Sequence, residues 1–335
     1  MQNKRKIFLI TGGAGFIGSH TTEILLKKGF KVRIIDNLTG GDLRNLNGIK
    51  KNKNLSVEIK DIKKFSINSK IFKNVYAIIH FAGSGSIVPS IENPNFYLEN
   101  NLFSTTHLLE CAVKNNIKNF VYAASSSCYG IASTPTKETN KIECEHPYAL
   151  SKYFGEQAVL HWGKVYGLNV NSLRIFNAYG PRLTTKGVYG TVFAVFMKQI
   201  LENKPLTLVG SGNQKRDYVY VTDVANAFIK AAMTKTKSKI FNIGAGKPQK
   251  INYLINLLVD KKYKIIKIPN RPGEPNITDA DISRSRRELK WKPSKSFKWG
   301  IAEMMKNIDY WKQSKLWDKK NIAKATVSWF KYLKN

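Results

Sequence analysis

The sequence predicts an α/β protein, a doubly wound parallel sheet with a smaller C-terminal α/β lobe. Three observations predict it. Short apolar runs alternate with helical patterns through the first half of the chain. A glycine-rich turn follows the first apolar run directly, and an acid closes the second. Strand and helix in regular alternation require parallel pairing with helices covering both faces.

The elements follow in order. The runs "KIFLIT" (6–11), "KVRIID" (31–36), "LSVEIKD" (55–61), "VYAIIHFAG" (75–83), "NFVYAAS" (119–125) and "NVNSLRIFN" (169–177) read as strands. The fourth is apolar almost throughout, as a strand covered on both faces should be. Helices are expected from near Gly15 to about Lys28, from about Asn95 to Asn115, and from Tyr148 to Val165. After Asn177 the pattern loosens into a loop at 180–190 and a helix to about Glu202. Trp311, Trp317 and Trp329 lie in Lys-rich helical surroundings and are expected to dock tail helices onto the body. The expected division is residues 1–176 as a cofactor domain, with segments near 217–245 returning to it. Residues 177–335 then form mainly a substrate lobe and a helical tail.

Composition narrows the function. Hydrophobic residues make up 42% of the 335, enough for real cores. No apolar run is long enough to span a membrane; the N-terminus superficially resembles a signal peptide, but its apolar run is short and glycines follow at once, so a first buried strand is expected there. Cys111, Cys128 and Cys144 show no paired spacing, which fits unpaired thiols in a reducing cytoplasm. The segment "ECEH" (143–146) has no second ligand cluster, so no metal is expected. The formal charge of +32 raises nucleic-acid binding, but Lys is scattered without a basic block. That field is expected to favour anionic small substrates instead of nucleic acid.

"TGGAGFIGSH" opens the first helix, with Gly12, Gly13, Gly15, Phe16, Ile17 and Gly18 at the turn. Such a turn lets backbone approach a pyrophosphate at a helix N-terminus, the Rossmann arrangement for a dinucleotide. Asp36, eighteen residues past Gly18, is placed to accept from the adenosine ribose hydroxyls. Asn37 follows it, where a 2′-phosphate would call for a cation, so NAD is expected over NADP.

Tyr148 and Lys152 stand four residues apart on an expected helix and so share a face. The spacing recurs at Tyr263 and Lys267, in a β-like run with no serine cluster before it. The first pair has Ser125 upstream, at the C-terminal end of the fifth strand, where ligands bind in open parallel sheets. Tyr148 would be the base, helped by a nearby ammonium; Lys152 would supply that charge and hold the nicotinamide ribose; Ser125 would relay the proton.

With these residues the sequence resembles the extended short-chain dehydrogenase/reductase family, and within it the nucleotide-sugar 4-epimerases. The resemblance runs from about Lys6 to Pro293. It rests on "TGGAGFIG", "DI" (61–62), "HFAG" (80–83), "SSSCYG", "YALSK", "RIFNAYGPR", "RDYVYVTDV" and "RPGEP". It implies that Asp61 and Ile62 contact the adenine and that Phe81, Ala82 and Gly83 line the NAD. It implies Ser125, Tyr148 and Lys152 as catalytic residues. Asn177 would hold the sugar diphosphate, Arg216 and Arg271 would clamp the diphosphate or nucleoside, and Ser126 would sit at the substrate. Members usually form homodimers through the helices holding residues 95–115 and 148–165.

Dehydratases of the family resemble one another in an Asp-Glu pair after the catalytic hydroxyl, and the decarboxylating relatives carry a Glu at the second place. Here those positions are Ser126 and Ser127. The resemblance therefore implies oxidation at C4, rotation of the keto sugar, and hydride return. Thr278 and Gly85 resemble the branch that accepts N-acetylhexosamines, so UDP-N-acetylglucosamine is expected to fit, with UDP-glucose second. Alternatives on the same scaffold are a UDP-glucuronate 4-epimerase, a dehydratase or a keto-sugar reductase. An NAD-sensing or nucleic-acid-binding protein is the non-enzymatic alternative.

Overall fold

The structure is a computed structural model that describes residues 6–183, 190–236 and 238–333. The expected loop at 180–190 falls largely outside them. Seven strands form one parallel sheet. Six come from the first half: β1 (Ile7–Thr11), β2 (Lys31–Asp36), β3 (Leu55–Ile59), β4 (Val75–His80), β5 (Asn119–Ser125) and β6 (Asn169–Ile175). The seventh is Lys239–Ile243, and the order runs from it through β6, β5, β4, β1 and β2 to β3. Ile10 pairs with Ile34 on one side of β1 and with Ile79 on the other. The chain reverses its direction of travel across the sheet between β1 and β4, and the crevice at that point opens beyond the strands' C-terminal ends.

Period-two alternation sorts the two faces. Phe8 and Ile10 join Leu25, Leu26 and Phe228 in one core. Leu9 between them joins Leu108, Leu109 and Val159 in the other. The first face is covered by α1 (Phe16–Lys27) and the helix Val221–Met233, which pack along each other. The helices Ser104–Lys114 and Pro147–Tyr166 cover the second. β3 departs from the buried pattern: Ser56 to Ile59 are exposed because it is the sheet's edge. It also stops at Ile59, and β4 stops at His80; the expected strands had run two or three residues further.

The helix expected over 95–115 is not continuous. Short helices, Ile87–Glu92 and Pro94–Leu98, lead into a π-helical turn, Glu99–Phe103, before the α-helix resumes at Ser104. The extra residue in that turn sends Asn101 inward, where it is 1% exposed.

A second core gathers Phe193, Phe196 and Met197 of the helix Val192–Leu201 with Leu206, Leu208 and Leu254. Tyr218 and Phe297 stack within it, 5.1 Å apart and 11° from parallel. The strands Leu206–Val209 and Ile265–Ile268 pair beside it. Trp311 and Trp317 of the tail are buried in the same core, and the Trp311 indole donates to the Leu183 carbonyl at 2.6 Å.

Candidate active site

A cleft of about 870 Å³ opens over the C-terminal ends of β1, β2, β4 and β5. At its floor the chain turns from β1 into α1. Gly12 adopts φ +69°, a left-handed conformation that suits glycine. A Cβ on Gly18 would lie 2.1 Å from the Gly12 carbonyl oxygen, so the turn is that tight. No side chain caps α1, whose first-turn N–H groups are left for an anion. Asp36, 6% exposed, closes β2 and accepts from Ala14 N at 2.9 Å and Leu38 N at 2.8 Å. The acid thus ties the turn to the next strand and lines the cleft. Asn37 and Asp61 meet at 3.5 Å, and Asp61 caps the turn that carries Ile62.

Across the cleft, Phe81, Ala82 and Gly83 follow β4. Ala82 N donates to Thr11 Oγ1, and the Thr11 hydroxyl bonds the buried His80 ring at 2.6 Å. Asn101 fixes the next step: its Oδ1 accepts from Ser84 N at 2.7 Å, while its Nδ2 donates to Ser84 O and Ser151 Oγ. One inward amide therefore joins the strand-end loop to the helix that holds Tyr148.

That helix, Pro147–Tyr166, starts at His146, whose Nδ1 accepts from Ala149 N. Tyr148 and Lys152 line the cleft together with Ser125. Ser125 Oγ accepts from Ser127 N at 3.2 Å, in the same cleft as the Tyr148 phenol. Burial pushes the Tyr148 phenol above its ordinary value, and the neighbouring Ser125 works the other way. Lys152 is itself buried, which lowers it to about 7, with Glu156 one turn on working to raise it. Its ammonium sits 4.2 Å from the centre of the Tyr122 ring. Glu156 is bound in turn by Arg174 Nη2 at 2.5 Å and by Ser172 Oγ at 2.8 Å, in a buried cluster.

The substrate candidates divide. Gly85 lines the cleft. Ser126 is not among the lining residues; it opens a 3-10 turn, Ser126–Tyr129. Asn177 lies just past β6, and its Oδ1 accepts from Thr278 Oγ1 at 3.0 Å. Thr278 Oγ1 accepts in turn from Asp217 N. Arg216 and Arg271, far apart in sequence, share one carboxylate: Glu274 bonds Arg216 Nη2 at 3.5 Å and Arg271 Nη1 at 3.1 Å. Asn177, Thr278, Arg216 and Arg271 are not among the residues lining the cleft. In the "ECEH" segment, Cys144 Sγ donates to the Cys128 carbonyl and His146 caps a helix.

Residues 8–244 match the NAD dependent epimerase/dehydratase family. The chain belongs to that family. It is 36% identical over 304 residues to a "Putative UDP-glucose 4-epimerase" of Methanocaldococcus jannaschii, covering 89% of this chain and 97% of the relative. It is 34% identical to a "UDP-glucuronate 4-epimerase" of Thermodesulfobacterium geofontis, with coverage of 94% and 97%. Among solved structures it resembles a UDP-N-acetylglucosamine 4-epimerase from Methanobrevibacter ruminantium M1 in complex with UDP-N-acetylmuramic acid. The TM-score is 0.86 at 32% identity, covering 90% of this chain and 97% of that one.

An NAD-dependent epimerase/dehydratase needs a dinucleotide seat, and this chain's residues fit one. The uncapped helix, the crowded glycine turn and a cleft within the 300–1,000 Å³ usual for ligand sites all suit it. Among the described residues no group of three or more His, Cys, Asp or Glu is arranged to hold a metal. Several cleft residues went unnoticed in the sequence. Lys60 and Lys63 flank Asp61 at the cleft's edge, and Tyr97 meets Tyr148 edge-on at 6.4 Å. Asn101 carried no motif, because a π-helical turn leaves no periodic signature.

Proposed function

We propose that this chain inverts C4 of a UDP-linked hexose, using NAD held along the cleft. The observation that carries it is Ser125, Tyr148 and Lys152 lining one cleft, with no acid at 126 or 127. Gly12, Gly15, Phe16, Ile17 and Gly18 would hold the pyrophosphate, and Asp36 and Asn37 the adenosine ribose. Asp61 and Ile62 would hold the adenine, and Phe81, Ala82 and Gly83 the nicotinamide side, with Tyr148 and Lys152 at its ribose. Oxidised NAD supplies an acceptor for the C4 hydride and a positive ring that favours the phenolate. Tyr148 takes the C4 hydroxyl proton, Ser125 orients that oxygen, and Tyr148 gives the proton back after the keto sugar has rotated.

The main sheet, completed by Lys239–Ile243, forms the cofactor half in this reading, and the second lobe closes on the nucleotide sugar. Arg216 and Arg271 would grip the diphosphate, for which a guanidinium fork is matched, and Asn177 would hold it from the other side. Thr278 and Gly85 leave room for an acetamido group, which favours UDP-N-acetylglucosamine with UDP-glucose second. UDP-glucuronate is the second reading, favoured by the 34% identical relative of that name. The reaction would run in the cytoplasm, and the net positive field would draw in the anionic substrate.

A homodimer is part of the proposal. Phe96, Phe103, Leu150 and Phe154 are between 38% and 58% exposed, and they lie on the two helical segments that family members pair. Sedimentation at micromolar concentration should give twice the monomer mass.

Proton NMR of purified protein, incubated without added cofactor with each of UDP-N-acetylglucosamine, UDP-glucose and UDP-glucuronate, tests the reaction. A new anomeric signal from the C4 epimer is expected. Thr278→Tyr should then lose the acetylated sugar selectively, and equal loss on both sugars would remove the selectivity argument. No new signal from any of the three would sink the UDP-hexose reading.

A further inference from the structure

The tail does more than cover the body. Its helix Val327–Tyr332 packs against the helix Ile87–Glu92, whose Pro89 lines the cofactor cleft. Ser328 Oγ donates to Glu92 Oε1 at 3.0 Å there. Its other side reaches the second lobe. The Trp329 indole, 3% exposed, donates from Nε1 to the Pro272 carbonyl at 2.7 Å. The Arg271 guanidinium carbon lies 5.4 Å from the centre of the same indole. One short helix thus spans the two lobes and holds, by a hydrogen bond and a ring face, the loop that carries Arg271.

We propose that Trp329 is a positioning residue for nucleotide binding: it fixes Arg271 for the diphosphate and, through Ser328 and Glu92, ties that arginine to the cofactor side of the cleft. The inference rests on the reading of Arg271 as a diphosphate ligand. An arginine side chain loses considerable rotamer freedom when it engages an anion. A planar ring beneath the guanidinium and a pinned Pro272 carbonyl remove part of that loss before the ligand arrives. Arg216 meets the same Glu274 carboxylate as Arg271, so the two guanidinium groups are held within reach of one anion.

The test is calorimetric titration of the NAD-loaded protein with UDP, in wild type, Trp329→Ala, Trp329→Phe, Arg271→Ala and the Trp329→Ala/Arg271→Ala double variant. Bound NAD and melting temperature are followed in each. Trp329→Ala should weaken UDP binding about tenfold, the scale of a partly desolvated cation–π contact. Trp329→Phe keeps the ring and loses the N–H, and should weaken it about threefold. The double variant should bind no more weakly than Arg271→Ala alone, because the indole acts through that arginine. In turnover the loss should fall on KM and leave kcat. Wild-type affinity in Trp329→Ala, or equal weakening with and without Arg271, overturns the proposal. If the alanine variant does not fold, wild-type affinity in Trp329→Phe overturns it. If Arg271→Ala alone leaves UDP binding unchanged, it is the diphosphate reading of Arg271 that falls, and the result says so separately.

Discussion

The rings of His146 and Tyr148 lie face to face, 5.8 Å between centres and 5° from parallel. His146 also caps the helix through Nδ1, so the residue that starts the helix shelves the phenol two positions on. Burial lowers His146 to about 4, which keeps it neutral and able to accept that bond. Tyr148→Phe should keep the fold and lose about 10²- to 10⁴-fold in kcat, the usual share of a positioned acid–base group. His146→Ala should cost about 1 kcal/mol of stability as a lost cap and a smaller part of kcat. Paired urea melts and turnover rates check both; full activity in Tyr148→Phe would remove Tyr148 from the chemistry.

The glycine turn gives a second test. Gly18→Ala places a methyl against the Gly12 carbonyl, which requires the backbone to shift. Overpacking of this kind costs about 1–3 kcal/mol, and here it also opens the pyrophosphate seat. The purified variant should carry little NAD, measured by absorbance after acid release. A wild-type NAD content would place the cofactor's phosphates elsewhere.

Arg174 and Glu156 form a buried ion pair, with side chains 3% and 1% exposed. Burial opposes the Arg174 charge, yet its bonds to Glu156 hold it well above the ordinary value. Arg174→Met leaves the carboxylate without its partner and should destabilise by about 3–5 kcal/mol. Arg174→Met with Glu156→Leu should recover much of that in chemical denaturation. Lys152 then loses the one acid working to raise it, so the pH–rate profile of the double variant should shift to lower pH. An unshifted profile would show that Glu156 does not reach Lys152.

Acid should destabilise the fold. Burial lowers His20 to about 4, His80 to about 3 and His146 to about 4. Between about pH 6.5 and those values the unfolded chain binds the extra protons, so stability falls as pH falls. Asp217 opposes this. Burial raises it to about 6, so the folded chain keeps a proton that the unfolded chain has lost. Three imidazoles outweigh one carboxyl, and the urea midpoint should drop from pH 7 to pH 5. A flat or rising midpoint would contradict the burial of these rings.

The cofactor half was legible because most of its strands are buried, with β4 reading as an almost unbroken apolar run, and because the glycine turn and Asp36 stand at fixed places between them. Ser125, Tyr148 and Lys152 were found by position on that frame. What escaped depends on contacts between distant segments. The Tyr148 phenol is governed by the burial that its neighbours Tyr97 and His146 contribute to, and four-residue spacing to Lys152 carries no information about that. Asn101 turns inward because of one π-helical turn. Arg216 and Arg271 stand 55 residues apart in the chain and meet at Glu274.

Trp311 and Trp317 sit in the second core beside Phe193 and Leu254. On the ribosome, the last strand of the main sheet, Lys239–Ile243, is made well before them. At 5–20 residues per second the interval is on the order of seconds. For that time the cofactor half has all seven of its strands, while the aromatic interior of its neighbour lies uncovered. Nascent chains stalled between residues 243 and 311 should therefore bind NAD-affinity resin and recruit chaperones at once, and the second property should vanish when synthesis passes Trp317.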